Sequence, residues 1–182
     1  MNRERGFSLV ELLVVVAIIL VISALAVPRF LRSKMAATEA AAASTLKSLG
    51  TANVVYFSLY TRGYAGSLAQ LGPPSGACAT VGPACAYLLD SALSGISPAS
   101  ATPNKGGYRF IYYAPDPNPT PTSPNTSWSA VAVPISPGST GTSTFCFDHH
   151  NVIWKDSSVA TTTATATGCT PTWTVGGNIG PS

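Results

Sequence analysis

The sequence predicts an α+β fold in which one long N-terminal helix, its first half able to span a membrane, packs against a small antiparallel β-sheet domain. Three observations lead there. Residues 9–27 are almost wholly Leu, Val, Ile and Ala. An apolar stripe with helical spacing continues past them to Tyr60. Between Gly107 and Lys155, short segments alternate in the two-residue rhythm of strands.

The 182 residues fit one ordinary domain plus an appendage. Only 9% are charged and 46% are hydrophobic, which is not the composition of a disordered chain. The net charge of +3 is small and forms no clustered basic face, so direct nucleic-acid binding is not expected.

Residues 9–27 are close to the length that crosses the roughly 30 Å hydrocarbon layer as a helix. Their only polar members are Glu11 and Ser23. Arg3 and Arg5 precede the run and favour a cytoplasmic N-terminus, but Arg29, Arg32 and Lys34 follow it, so the charge rule alone leaves orientation open. Placing each residue 100° further round a helix brings Leu31, Met35, Ala42, Leu46, Leu49, Tyr56, Phe57 and Tyr60 to one broad face, interrupted by Glu39 and Asn53. Alanine, the best helix former, is abundant from Met35 to Ser48. One helix from about Phe7 to about Tyr60 is predicted, on the order of 80 Å long. Pro28 removes one backbone hydrogen bond and predicts a kink; the alternative is a helix that ends at Val27 and a second that starts after it. A secretory signal peptide is a rival reading of the same segment, with Ala24-Leu25-Ala26 as its cleavage site. Glu11 in the apolar core and the stripe that continues past the cut weigh against it.

Gly6-Phe7-Ser8-Leu9-Val10-Glu11 followed by an apolar helix resembles the N-terminus of type IV pilins and their pseudopilin relatives. The resemblance implies a leader, residues 1–6, removed after Gly6 by a prepilin peptidase, and N-methylation of the new terminal Phe7. It also places the family's acid at Glu11 and its frequent proline at Pro28. It implies a membrane-spanning and filament-core segment at 7–28, an amphipathic half of the same helix at 29–60, and a globular domain at 61–182 with a sheet at about 107–155 and a flexible tail. A carboxylate at the bilayer centre costs about 2.5–3.5 kcal/mol, and less near the membrane face. In a filament, Glu11 of one subunit is expected to meet the Phe7 amine of its neighbour and so fix register.

In the C-terminal region, residues 67–71 and 87–94 are candidate short helices. Strands are predicted at "YRFIYY" and "WSAVAVP", and a tight hairpin at "TFCFDHHNVIWKD". Gly107-Tyr108-x-Phe110, Pro134-x-x-x-Gly138-x-x-Gly141 and Phe145-x-x-Asp148-x-x-x-Val152-Ile153 loosely resemble a pattern of some bacterial pilin-like proteins. "PDPNPTPTSPNTS", residues 115–127, reads as an exposed loop carrying a glycosylation sequon at Asn125. The Thr/Ala run at 157–168 reads as an exposed strand or loop.

The four cysteines, Cys78, Cys85, Cys146 and Cys169, suit an oxidising compartment and allow three pairings if all are bridged. Cys78–Cys85 would close a Gly/Pro loop. Cys146–Cys169 would tie the tail to the sheet, resembling the C-terminal disulfide loop of many pilins.

Asp148, His149 and His150 form the one cluster that invites chemistry. Adjacent histidines on an extended strand point to opposite faces, whereas in a turn the pair could converge on a metal. The cluster reads as a polar hairpin tip, so neither metal nor cofactor is expected. No nucleophile motif or phosphate loop appears, so no enzyme is expected. Calcium is not carried over from pseudopilins, because the tail lacks an acidic cluster. The helix aromatics Phe30, Tyr56, Phe57 and Tyr60 are ascribed to packing rather than to electron conduction.

The resemblance implies a structural subunit of a type IV pilus, serving adhesion, surface motility or DNA uptake. Its partners would be other pilin subunits, prepilin peptidase, the inner-membrane assembly machinery and, before assembly, membrane lipid. The location would be the bacterial inner membrane and then the cell-surface pilus. The alternatives are a pseudopilin of a type II secretion system and a secreted or membrane-anchored periplasmic binding or enzyme domain.

Overall fold

In the computed structural model, residues 8–76, 78–156 and 164–169 are described. A single helix, α1, runs from Leu9 to Leu59 without a break at Pro28. The alternative of two helices meeting at Val27 is therefore not what forms. Helix formers on both sides of the proline carry the hydrogen-bond ladder past the one missing donor. A four-residue helix, α2 (Leu68–Leu71), follows. Five strands then form one sheet: β1 (Asn104–Lys105), β2 (Tyr108–Tyr113), β3 (Ser129–Pro134), β4 (Thr144–Asp148) and β5 (Ile153–Asp156). Their spatial order is their chain order, and every pair is antiparallel.

The strands β2 to β5 fall where the alternation of side chains places them; β1, of two residues, is too short to show it. It exists because Gly106 and Gly107, with φ of 59° and 80°, form a two-residue turn that folds Lys105 back opposite Tyr108. Both turn positions need the left-handed region, which suits glycine. The opposite error concerns residues 87–94, which are irregular chain up to residue 90 and a turn from 91 to 94, not a helix. Their amides are committed elsewhere. Ala86 N donates to Gln70 O, Tyr87 N to Gly72 O, and Leu88 N and Leu89 N both to Leu71 O, at 2.7–2.8 Å. The Asp90 carboxylate then accepts from Ala92 N and Leu93 N, a local turn that competes with helix. Leu89 and Leu93 still reach the core from this turn segment.

The second half of α1 is the floor of the sheet. Ala42, Leu46, Leu49, Ala52 and Tyr56 are buried against Tyr108, Phe110, Ala130, Ala132, Phe145 and Phe147. Asn53, which interrupts the stripe, is fully buried with them. Its Oδ1 accepts from Ala65 N at 3.3 Å and lies 3.0 Å from the Tyr112 hydroxyl, so the polar group is satisfied where it is buried. Of the aromatics ascribed to packing, Tyr56 is buried and Tyr60 half-buried, but Phe30 and Phe57 remain exposed. Leu31 is exposed too, because the sheet does not extend that far along the helix.

The opposite face of the sheet is also covered. Val131 and Cys146 pack with Ala164 and Cys169 of the C-terminal segment, with Trp154 and Tyr113 at the margin. Cys146 is bonded to Cys169, and Cys78 to Cys85. The Cys78–Cys85 loop reaches over the end of α1, where the Tyr56 hydroxyl donates to Pro83 O at 2.7 Å.

Residues 115–127 form a loop, as their prolines dictate, yet Asn125 is buried inside it. Its Oδ1 accepts from Asp116 N at 2.9 Å, and its Nδ2 donates to Asp116 O at 2.8 Å and to Tyr64 O at 3.4 Å. The sequon expected on an exposed loop therefore has its acceptor nitrogen sequestered. The first part of the Thr/Ala run and the tail beyond Cys169 lie outside the described residues.

Candidate functional site

The candidate site is the part of α1 that the domain leaves uncovered. From Leu9 to Val27 every large apolar side chain is between 45% and 73% exposed. This stretch is long and apolar enough to cross a membrane, and none of its most apolar part is buried. Among the described residues, the second half of α1 has a covering sheet and the first half has none. Burial of apolar surface yields about 25 cal/mol per Å². A helix bare all round therefore belongs in lipid or among other helices.

Ser8 is the N-cap of α1, with extended backbone, and its side chain makes no capping hydrogen bond. Leu12 N donates to Ser8 O at 3.2 Å, so the helical ladder begins there. Glu11 lies in the first turn, exposed, and engages no hydrogen bond or ion pair among the described residues. At that end the free amide groups and the helix dipole favour a negative charge. Gly6 and Phe7, the expected cleavage and methylation residues, lie outside the described residues. Pro28 sits exposed within the helix, and Arg29, Arg32 and Lys34 follow it, all exposed.

The helix is locked to the domain by Glu39, which in the sequence only interrupts the apolar stripe. Glu39 Oε1 accepts from Thr142 N at 2.8 Å, Thr142 Oγ1 at 3.0 Å and Ser143 N at 3.1 Å. Its Oε2 faces Lys155 Nζ at 3.4 Å. Beside it the Thr38 hydroxyl donates to Thr140 O. Burial works against ionisation of Glu39. The hydrogen bonds from Thr142 and the charge of Lys155 outweigh it and hold the carboxyl below its ordinary range. The available signal was the acid itself, since a carboxylate on an otherwise apolar helix face requires a donor from whatever packs there.

Asp148 ends β4, and His149 and His150 stand in the turn that follows it, so the three come together instead of splaying across a strand.

The family model for the prokaryotic N-terminal methylation motif matches residues 1–27. The type IV major pilin protein PilA of Myxococcus xanthus (strain DK1622) is 43% identical over 56 residues, which are 31% of this chain and 26% of that protein. The match thus spans about a quarter of the curated relative's length. No solved structure matches the chain.

Proposed function

We propose that this chain, whose N-terminal segment is similar to that of a type IV major pilin, is a structural subunit of a type IV pilus. The observation that carries the proposal is the pairing of a closed domain with a helix bare over residues 9–27, whose lone acid stands in the first turn. Before assembly, lipid of the inner membrane covers this helix. Cleavage after Gly6 by a prepilin peptidase and methylation of Phe7 then leave a charged amine at the new terminus. In the fibre the same apolar surface is covered by helices of other copies. Glu11 meets the terminal amine of a neighbour there, at a spacing that fixes how far one subunit rises above the next. The sheet domain stays outside, and its work is mechanical rather than catalytic: adhesion, surface motility or DNA uptake. The second reading, with the same N-terminal chemistry, is a pseudopilin of a type II secretion system.

Mass spectrometry of the mature protein tests this. An N-terminal methyl-Phe7 is expected. A terminus at Val27 would instead make the chain a secreted domain and end the proposal. Electron microscopy then separates the two family readings, since long surface filaments containing this chain are expected of a pilin. Their absence from cells with an active type II secretion system would favour the pseudopilin.

A further inference from the structure

We propose that the β4–β5 turn is a binding site for a divalent transition-metal ion of the zinc class, held by Asp148, His149 and His150. This is independent of the assembly reading. The turn is closed by Asn151 N donating to Asp148 O at 2.9 Å, with Asn151 at φ 61°. That geometry sets the two imidazole rings side by side, with centroids 4.0 Å apart. His150 Nδ1 lies 3.3 Å from Asp148 Oδ1. One donor atom from each of the three residues lies within 4.8 Å of the others. A tetrahedral ion with bonds of about 2.0–2.1 Å keeps its ligand atoms about 3.3 Å apart. The Asp148–His150 pair already stands at that separation, and ring rotation brings in the third.

Three further features suit a ligand. His149 Nδ1 is buried and has no hydrogen-bond partner among the described residues. A buried ring nitrogen left unpaired calls for an explanation, and a ligand is one. Asp148 is itself buried and held in place, with Oδ2 accepting from Cys169 N at 3.1 Å and Oδ1 from His150 N at 3.0 Å. Two carboxylate oxygens offer about four lone-pair sites, so capacity for a metal remains. The C-terminal segment passes closely, and a Cβ at Gly168 would stand 3.1 Å from Asp148 Oδ2 and 3.9 Å from His149 Cε1. Glycine there leaves open a space of about 270 Å³ bordered by Asp148, His150, Trp154 and Gly168.

Two imidazoles and one carboxylate are a borderline donor set, which suits zinc, copper or nickel. Calcium and magnesium prefer all-oxygen shells. An ion here would join the hairpin tip to the segment already tied down by Cys146–Cys169.

The test is calorimetric titration of zinc chloride into the untagged, chelator-treated, non-reduced full chain in detergent. One ion per chain is expected, together with a zinc-dependent rise in the unfolding temperature. Calcium chloride should produce neither. His150 is exposed, so His150→Ala should fold as wild type by circular dichroism and bind zinc at least about tenfold more weakly. His149→Ala should behave in the same way, and either variant suffices if the other fails to fold. Absence of zinc binding by the wild-type chain, or equal affinity in His150→Ala, would overturn the proposal. So would calcium binding at the same site.

Discussion

Gly50 and Phe147 meet where α1 crosses β4: a methyl group on Gly50 would stand 2.2 Å from Phe147 Cε1. Glycine in a helix interior costs about 1 kcal/mol relative to alanine, so its presence in the buried stretch of α1 needs a reason. The reason is contact distance. The bare backbone at Gly50 lets the helix approach the sheet closely enough for Phe147, itself buried, to fill the gap. Gly50→Ala should therefore destabilise the domain by about 1–3 kcal/mol despite the gain in helix propensity. Adding Phe147→Leu should recover part of the loss. Denaturant unfolding followed by tryptophan fluorescence measures both.

The Glu39 clamp predicts a pH dependence. Its carboxyl is held below its ordinary range by Thr142 and Lys155 in the folded chain, and has no such help when unfolded. A depressed folded-state pKa contributes stability that is present in full above the unfolded value of about 4.3 and fades as pH falls through the folded value. Glu39→Gln keeps an acceptor but loses the charge, and should cost about 1–3 kcal/mol at neutral pH. That difference from wild type should shrink as pH is lowered below about 4. A constant difference down to pH 3 would mean that the charge of Glu39 does not matter.

Asn125 predicts both a loss and an absence. Its side chain joins residue 116 to residue 64, and its backbone exchanges hydrogen bonds with Arg62 O and Tyr64 N at 3.0 and 2.9 Å. Asn125→Ala strands the Asp116 amide and should cost about 1–3 kcal/mol. Asn125→Asp keeps the acceptor but loses both donated bonds, and should also destabilise. Peptide mapping of the native protein should find Asn125 unglycosylated, because a sugar on Nδ2 would displace its bonds to Asp116 and Tyr64.

How legible each part was in the sequence follows from the range over which it is specified. The long helix and the strands β2 to β5 are written in local periodicity, which survives without knowledge of contacts. The apolar segment at residues 9–27 was equally plain, since nothing in the domain modifies it. Residues 87–94 misled because three leucines at helical spacing resemble a helix. The amides of Tyr87, Leu88 and Leu89 are taken by residues at the end of α2, a non-local fact. Glu39 and Asn53 looked like flaws in a stripe, when each is the polar end of a tertiary hydrogen bond. The burial of Asn125 within a Pro-rich loop has no local signature either. The histidine pair could be read either way, because convergence depended on whether it fell on a strand or in a turn.

Glu11 carries the sharpest prediction about assembly. It occupies the first turn of α1, beside amide groups without intrahelical acceptors, so its charge is tolerable at the membrane face. In the proposed filament, where other helices replace lipid, that face becomes protein interior. An unpaired carboxylate is then costly, and one opposed by an amine is not. Glu11→Ala removes the penalty for insertion and should leave leader removal and membrane anchoring intact. On the proposed pairing it also removes the partner of the Phe7 amine, which would then be the unpaired charge. Mature subunits should accumulate in the membrane fraction while the sheared-filament fraction falls at least about tenfold. Glu11→Gln keeps the shape without the charge, and should fail in the same way if attraction to the amine matters rather than size. Filaments of normal abundance from both variants would remove Glu11 from the assembly contact.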